Sequence, residues 1–284
     1  MIMLQYFVKG SAVPFFPRGQ EPHLKYICNV DSEASKMPRS MHEHPHLAEA
    51  VLVYKGAGIF MIGGRQYTAK EGDFIIYNSR TVHDEFGGNG TNELHTYCLG
   101  ISNLYLPGQP ECQLVPSGYS PIISTGNAYP SFLSLCRLIE QEIQTQEGAD
   151  TANLLARALI TKLARLILTQ GERESTEEDS LSARIRRYID HHYREDLRLA
   201  DVAQALHANP YYLSHIFKEE SGFSPMKYAT LRRIGEAQNL LINTDMTITS
   251  IAAQIGYNNS NYFQNVFRNA VGISPGEYRR QWTQ

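Results

Sequence analysis

The strongest constraint on this chain is a stretch that is written twice. Leu199, Val202, Ala203, Leu213, Phe217, Gly222, Ser224, Pro225 and Tyr228 recur as Ile248, Ile251, Ala252, Phe263, Phe267, Gly272, Ser274, Pro275 and Tyr278. The offset is 49 residues over the first three positions and 50 over the rest, so one extra residue sits inside the second copy. Self-similarity at a fixed offset marks a duplicated supersecondary unit. Its nature has to be read from local chemistry.

In each copy an apolar-periodic helix ends in a short polar break, and a second helix follows. Asn209 in the first break can take an orphan backbone N–H, and Pro210 then falls where its missing N–H costs nothing. Leu213, Ile216 and Phe217 follow at helical spacing and face inward. The second break is Gly256-Tyr257-Asn258-Asn259, after which Phe263, Val266 and Phe267 point in. Ala203 and Ala252 are small, as required where two helices cross closely. These are the marks of paired helix-turn-helix units, each with a second helix that enters a major groove.

The outward faces carry the functional information. Tyr211, Tyr212, Ser214, His215 and Lys218 face out in the first unit, and Ser260, Asn261, Gln264, Asn265 and Arg268 in the second. A solvated helix face is usually rich in Glu and Lys. Here most groups are neutral donors and acceptors suited to base edges, and no acid precedes Glu219 to repel phosphate. These ten residues are the candidate DNA readers.

Together with Arg233-Ile234, Ala237, Leu240-Leu241, Gly256-Tyr257, Tyr262-Phe263 and Tyr278-Arg279, these positions resemble the AraC/XylS family of bacterial transcription regulators. The resemblance spans about a hundred residues. It implies two helix-turn-helix units joined by one linker helix, reading two adjacent major-groove segments. One departure matters: family recognition helices often carry an Arg where this chain has His215, and Asn265 takes the matching place in the second unit. Readout here should lean on amides and hydroxyls.

Charge is distributed to match. From Leu181 onward there are twelve Lys and Arg against nine Asp and Glu, whereas the rest holds fourteen against twenty. A basic C-terminal part on an acidic N-terminal one suits a nucleic-acid reader tethered to another domain. Cys28, Cys98, Cys112 and Cys136 are scattered without a CxxC, which fits buried thiols in a reducing cytosol. The absence of a basic-apolar leader and of any run of ~20 apolar residues predicts a cytoplasmic protein without a membrane partner.

The N-terminal half changes period. Residues 1–22 read as an extended arm whose Phe15 and Phe16 pack on something. Short β-rich runs follow at Ala50–Tyr54, Gly58–Ile62, Arg65–Ala69 and Phe74–Tyr77, with Gly63-Gly64 as a two-residue hairpin signal. Many short strands at this spacing predict a sandwich or small barrel. His42-Glu43-His44, Glu49 and Gly56, then Gly72 through His83, resemble the two cupin motifs. The second motif is eroded, with Asn78, Arg80 and Gly87 at positions where it places other residues. The resemblance implies a cupin-type β-barrel, the usual sensor of AraC regulators.

His42 and His44 are two apart and share one face of an extended strand. Three imidazoles and a carboxylate would suit Zn, Fe, Mn or Ni. Alternatively they line a pocket for a small polar ligand, or merely satisfy one another. Family sensors mostly bind ligand without metal, which favours the pocket, so no cofactor is assigned. Arg39, His42, His44, Glu49, Tyr77 and His83 are the candidate effector residues, and Tyr54, Tyr67, Tyr77 and Tyr97 are expected to line the interior. Such a pocket suits a sugar or related metabolite.

From Pro130 to Thr169 the period is helical. Leu133, Cys136, Ile139 and Ile143 line one helix, and Leu155, Leu159, Leu163, Leu166 and Ile167 line another, capped by Asp150 or Thr151. In the family such helix pairs form a dimer interface. The predicted architecture is an α+β multidomain chain: residues 1–129 a cupin-like effector-sensing domain with its arm, 130–170 a helical dimerisation segment, 171–180 a linker, and 181–284 an all-α DNA-binding domain with two helix-turn-helix units. The predicted function is a non-enzymatic, effector-controlled regulator, a homodimer on double-stranded promoter DNA with RNA polymerase as a further partner. The competing function is a metal-dependent cupin enzyme fused to a DNA-binding module.

Overall fold

The structure is a computed structural model and describes residues 15–31, 40–84, 94–170 and 180–282. Strands β1 (His23–Val30), β2 (Ala48–Lys55), β5 (Asp73–Tyr77), β6 (His95–Ser102) and β7 (Ile122–Ser124) form a five-stranded antiparallel sheet in the order β1-β6-β2-β5-β7, while β3 (Ala57–Ile62) and β4 (Arg65–Lys70) form a hairpin. Gly63 and Gly64, both at positive φ (55° and 77°), make its turn, as their pairing predicts.

Strand alternation divides the sheet's side chains between two cores. Ala50, Leu52, Phe74, Ile76, Tyr97 and Leu99 point to helices α1 (Tyr129–Ile143) and α2 (Ala149–Gln170), meeting Phe132, Cys136, Ile139, Leu159, Leu163 and Ile167. Phe16 of the arm packs into this same core. Val51, Val53, Ile75, Tyr77 and Cys98 point the other way, onto Phe60, Ile62 and Ala69 of the hairpin.

Two helical details differ from expectation. Ile143 is 42% exposed, because the apolar stripe of α1 runs one turn past Ile139, its last core residue. Asp150 lies within the first turn of α2, which already begins at Ala149, so it acts on the helix N-terminus as a charge and not as a cap. Cys98, Cys112 and Cys136 are buried as predicted, whereas Cys28 is exposed. Among the described residues no helix is long and apolar enough to cross a membrane.

The C-terminal helices are α3 (Leu181–His192), α4 (Leu199–Ala205), α5 (Pro210–Ser221), α6 (Pro225–Asn243), α7 (Ile248–Gln254), α8 (Ser260–Val271) and α9 (Pro275–Trp282). The duplicated residues form two cores. One holds Val202, Ala203, Leu213, Phe217 and Tyr228, the other Ile251, Ala252, Phe263, Phe267 and Tyr278. Asn209 accepts from the Tyr211 and Tyr212 amides (2.9 and 3.3 Å), and Asn259 from the Tyr262 amide (3.0 Å). Gly222 and Gly272 close α5 and α8 in the left-handed conformation, φ 76° and 92°.

Candidate functional site

The two recognition helices, α5 and α8, carry the first set of candidate residues. Burying Leu213 with Phe217, and Phe263 with Phe267, turns the opposite face of each helix outward. Tyr211 is 83% and Tyr212 54% exposed. His215, Lys218, Asn261, Asn265 and Arg268 are exposed, and Ser214, Ser260 and Gln264 are half-buried at the edge of the same faces. Tyr262, 62% exposed, stands on the same face 50 residues after Tyr212, outside the ten candidate readers.

The second set converges inside the N-terminal domain. Glu49 is the second residue of β2. His83 follows β5 and pairs through its backbone with both His42 and Ile62. Donor atoms of His42, His44, Glu49 and His83 all lie within 4.8 Å of one another. His42, Glu49 and His83 are 1–2% exposed. His83 Nε2 stands 3.0 Å from Glu49 Oε2, and His44 Nε2 stands 3.7 Å from Glu49 Oε1. His42 Nδ1 donates to the Ser40 carbonyl (3.0 Å) and His83 Nδ1 to the Thr81 carbonyl (2.8 Å). A carbonyl can only accept, so both rings present Nε2 to the cluster. Burial pushes the Glu49 carboxyl up, but contact with His83 and the charges of His83, His44 and His42 outweigh it and hold it well below the usual carboxylate range.

Tyr77 stacks on His83, with ring centres 3.9 Å apart, and its hydroxyl donates to the Asp84 carbonyl at 3.3 Å. Arg39 lies outside the described residues, as does Gly87. Two residues not anticipated complete the surroundings: the Tyr26 hydroxyl donates to Glu49 Oε1, and Cys98 Sγ lies 3.6 Å from the same oxygen. Nothing in the spacing of Tyr26 points to this, because β1 reaches β2 only across β6.

The expected aromatic lining is corrected. Tyr54 and Tyr97 turn to the helix side of the sheet, where the Tyr97 hydroxyl donates to Glu140 (2.7 Å) and the Tyr54 hydroxyl to Asn29 (2.8 Å). Pairing register is the reason: Tyr97 sits opposite Leu52, which points to α1 and α2. What remains at the cluster is a compact set of nitrogen and oxygen donors, not an aromatic-walled pocket.

A β-rich domain with a buried polar cluster, joined to two helix-turn-helix units with exposed hydrogen-bonding faces, defines a two-domain DNA-binding regulator. Residues 202–281 match the helix-turn-helix domain family, and residues 29–99 match the cupin domain family. The chain is 26% identical to the HTH-type transcriptional regulator YdiP of Escherichia coli (strain K12), over 99% of this chain and 93% of that protein. It is also 26% identical to the HTH-type transcriptional activator RhaS of Enterobacter sp. (strain 638), over 95% and 96% of the two chains. Among solved structures, fatty-acid-bound ToxT from Vibrio cholerae covers 93% of this chain and 96% of its own, at TM-score 0.48 and 15% identity. The chain belongs to the AraC-type helix-turn-helix transcription regulators and carries a cupin domain in its N-terminal half.

Proposed function

We propose that the protein acts as a homodimer that reads two adjacent major-groove segments of promoter DNA, and that an effector held by His42, His44, Glu49 and His83 controls this engagement. The observation that carries the DNA reading is the pair of exposed recognition faces, whose neutral hydrogen-bonding groups lie outside both helical cores. The linker helix α6, of 19 residues, is ~28 Å long at ~1.5 Å per residue. That suits recognition helices about one turn of DNA apart, ~34 Å. Footprints of the full chain should show two contacted segments with centres ~10 bp apart, and protection of a single segment would defeat the bipartite reading. Replacing Gln264 with Ala should cost ~1–3 kcal/mol on its preferred base pair and relax preference there.

Support for the homodimer comes from α2, which leaves Leu154 (64%) and Leu168 (68%) exposed 14 residues apart, on one side of the helix. Light scattering of Leu154→Lys should show a monomer. Relatives named transcriptional activators make RNA polymerase the downstream partner in this reading. Burial of the cluster supports the effector role, and His83→Ala should abolish the response while basal DNA binding remains. A metal-dependent enzyme is the second reading, favoured by the convergence of three imidazoles and a carboxylate. Substrate turnover lost on Glu49→Gln would establish it.

A further inference from the structure

The cluster lies at the seam between the two domains, and residues 40–44 belong to both sides of it. His42 and His44 point into the cluster. The odd-numbered residues point the other way: Met41, 1% exposed, enters the core of the first helix-turn-helix unit together with Met61 and Val82. Glu43 stands 3.2 Å from the Arg232 guanidinium, which is 4% exposed and also held by Asp190 at 2.8 Å. The Ser40 amide donates to the Gln238 side chain at 2.8 Å. Between Arg232 and Gln238, Gly235 lets α6 lie directly on this backbone. A Cβ there would overlap the Met41 carbonyl and come within 2.8 Å of the Ser40 oxygen. The hairpin docks beside it, with Arg65 3.5 Å from Glu220, and the His83 backbone ties both docked segments together.

The chemistry of the cluster selects its occupant. With Nδ1 of His42 and His83 committed as donors to carbonyls, both rings turn Nε2 inward. His83 Nε2 stands 3.0 Å from a Glu49 carboxylate oxygen, and both groups are almost fully buried. A divalent cation can displace the proton of that contact and be held by both groups. Imidazole with carboxylate is a donor set for divalent first-row transition ions, and the carbonyl bonds supply the orientation such ligands need.

Building on the reading of the cluster as effector site, we infer that its effector is a divalent transition-metal cation and that the alternating contacts of residues 40–44 turn the bound cation into a clamp on α6. Full ligation requires His42 and His44 in place, and that conformation aims Met41 and Glu43 at the linker helix. A ligand shifts an equilibrium only by its differential affinity, so the cation favours the docked arrangement. Because α6 joins both helix-turn-helix units, docking alters their presentation to DNA.

The test uses the full chain, Zn2+ and Ni2+ as probes, and a duplex selected from a random pool by the wild-type protein. Wild type should bind one ion per chain, slow hydrogen exchange over residues 40–44, and change its Kd for the duplex by ~5–150-fold, the usual span of allosteric coupling. Gly235→Ala wedges the interface while giving α6 a stronger helix former. It should bind the same ion but lose the exchange and Kd responses, and Glu43→Gln should weaken both. Absence of bound ion with intact duplex binding would overturn the inference and leave the DNA reading standing. Ion binding without change in exchange or Kd, or a full response in both variants, would overturn the clamp. A wild type that binds no duplex would count against the regulator reading instead.

Discussion

The two helix-turn-helix units share a pattern and differ in company. The core of the second, from Ile234 to Tyr278, includes no cupin-domain residue among the described residues. The first takes Met41, Met61 and Val82 of that domain into its own core. Their neighbourhoods diverge at matched positions. Where the first unit buries Arg232 between Asp190 and Glu43, the 50-residue offset places Trp282, 45% exposed, in the second. The two units thus share one helical pattern, and the first also shares its core with the N-terminal domain.

The largest expected effects test that independence. Phe217→Ala and Phe267→Ala, both at fully buried positions, should each cost ~3–5 kcal/mol. The single tryptophan, Trp282, packs on Tyr278 and reports the second unit in urea titrations. Phe267→Ala should lower its transition, and Phe217→Ala should leave it in place. An equal shift for both would mean that the units unfold together.

Asp190→Ala comes next. It strips the buried Arg232 of its nearer partner and the Tyr228 hydroxyl of its acceptor, which should cost ~3 kcal/mol, the low end for breaking a buried pair. Trp282→Ala, at the position matching Arg232, should cost ~1 kcal/mol or less in thermal unfolding. Similar losses would erase the contrast.

The helix caps give a finer comparison. Gly222→Ala and Gly272→Ala should each lose ~1–2 kcal/mol, because a side chain at these positive φ values is strained. A Cβ on Gly272 meets open space, whereas one on Gly222 would come 2.6 Å from the Gln66 amide of the hairpin. Only Gly222→Ala should therefore also speed hydrogen exchange in β4.

The smallest effect is alkaline. Burial pushes the Cys136 thiol from 9.0 up to about 12. A group whose pKa is higher folded than unfolded adds stability below its unfolded value and loses it as pH rises toward the folded one. Stability of the N-terminal domain should decline from about pH 9 upward, less so in Cys136→Ala. Thiol labelling at pH 8 should modify exposed Cys28 and spare Cys136.

Much of this was readable in advance where the information is local. Asn209 caps as its position predicts, because a cap involves only the next three residues, and Asn259 repeats it in the second unit. His42, His44, Glu49 and His83 converge because two-residue alternation and motif spacing carry them there. Tyr54 and Tyr97 were misassigned because their face depends on pairing with β2 and β6, which no local pattern encodes. Tyr26 was missed for the same reason.

The chain's own pattern settles that there are two helix-turn-helix units, which faces they expose and which four side chains meet in the cupin domain. All of these follow from periodicities of two and 3.6 residues, fixed by backbone geometry. The pattern is silent on which unit leans on the cupin domain. That depended on Met41, Glu43, Arg232 and Gly235 meeting across about 190 residues of chain. Such contacts arise from the docking of two finished surfaces, and their partners are chosen by shape and burial rather than by spacing along the sequence.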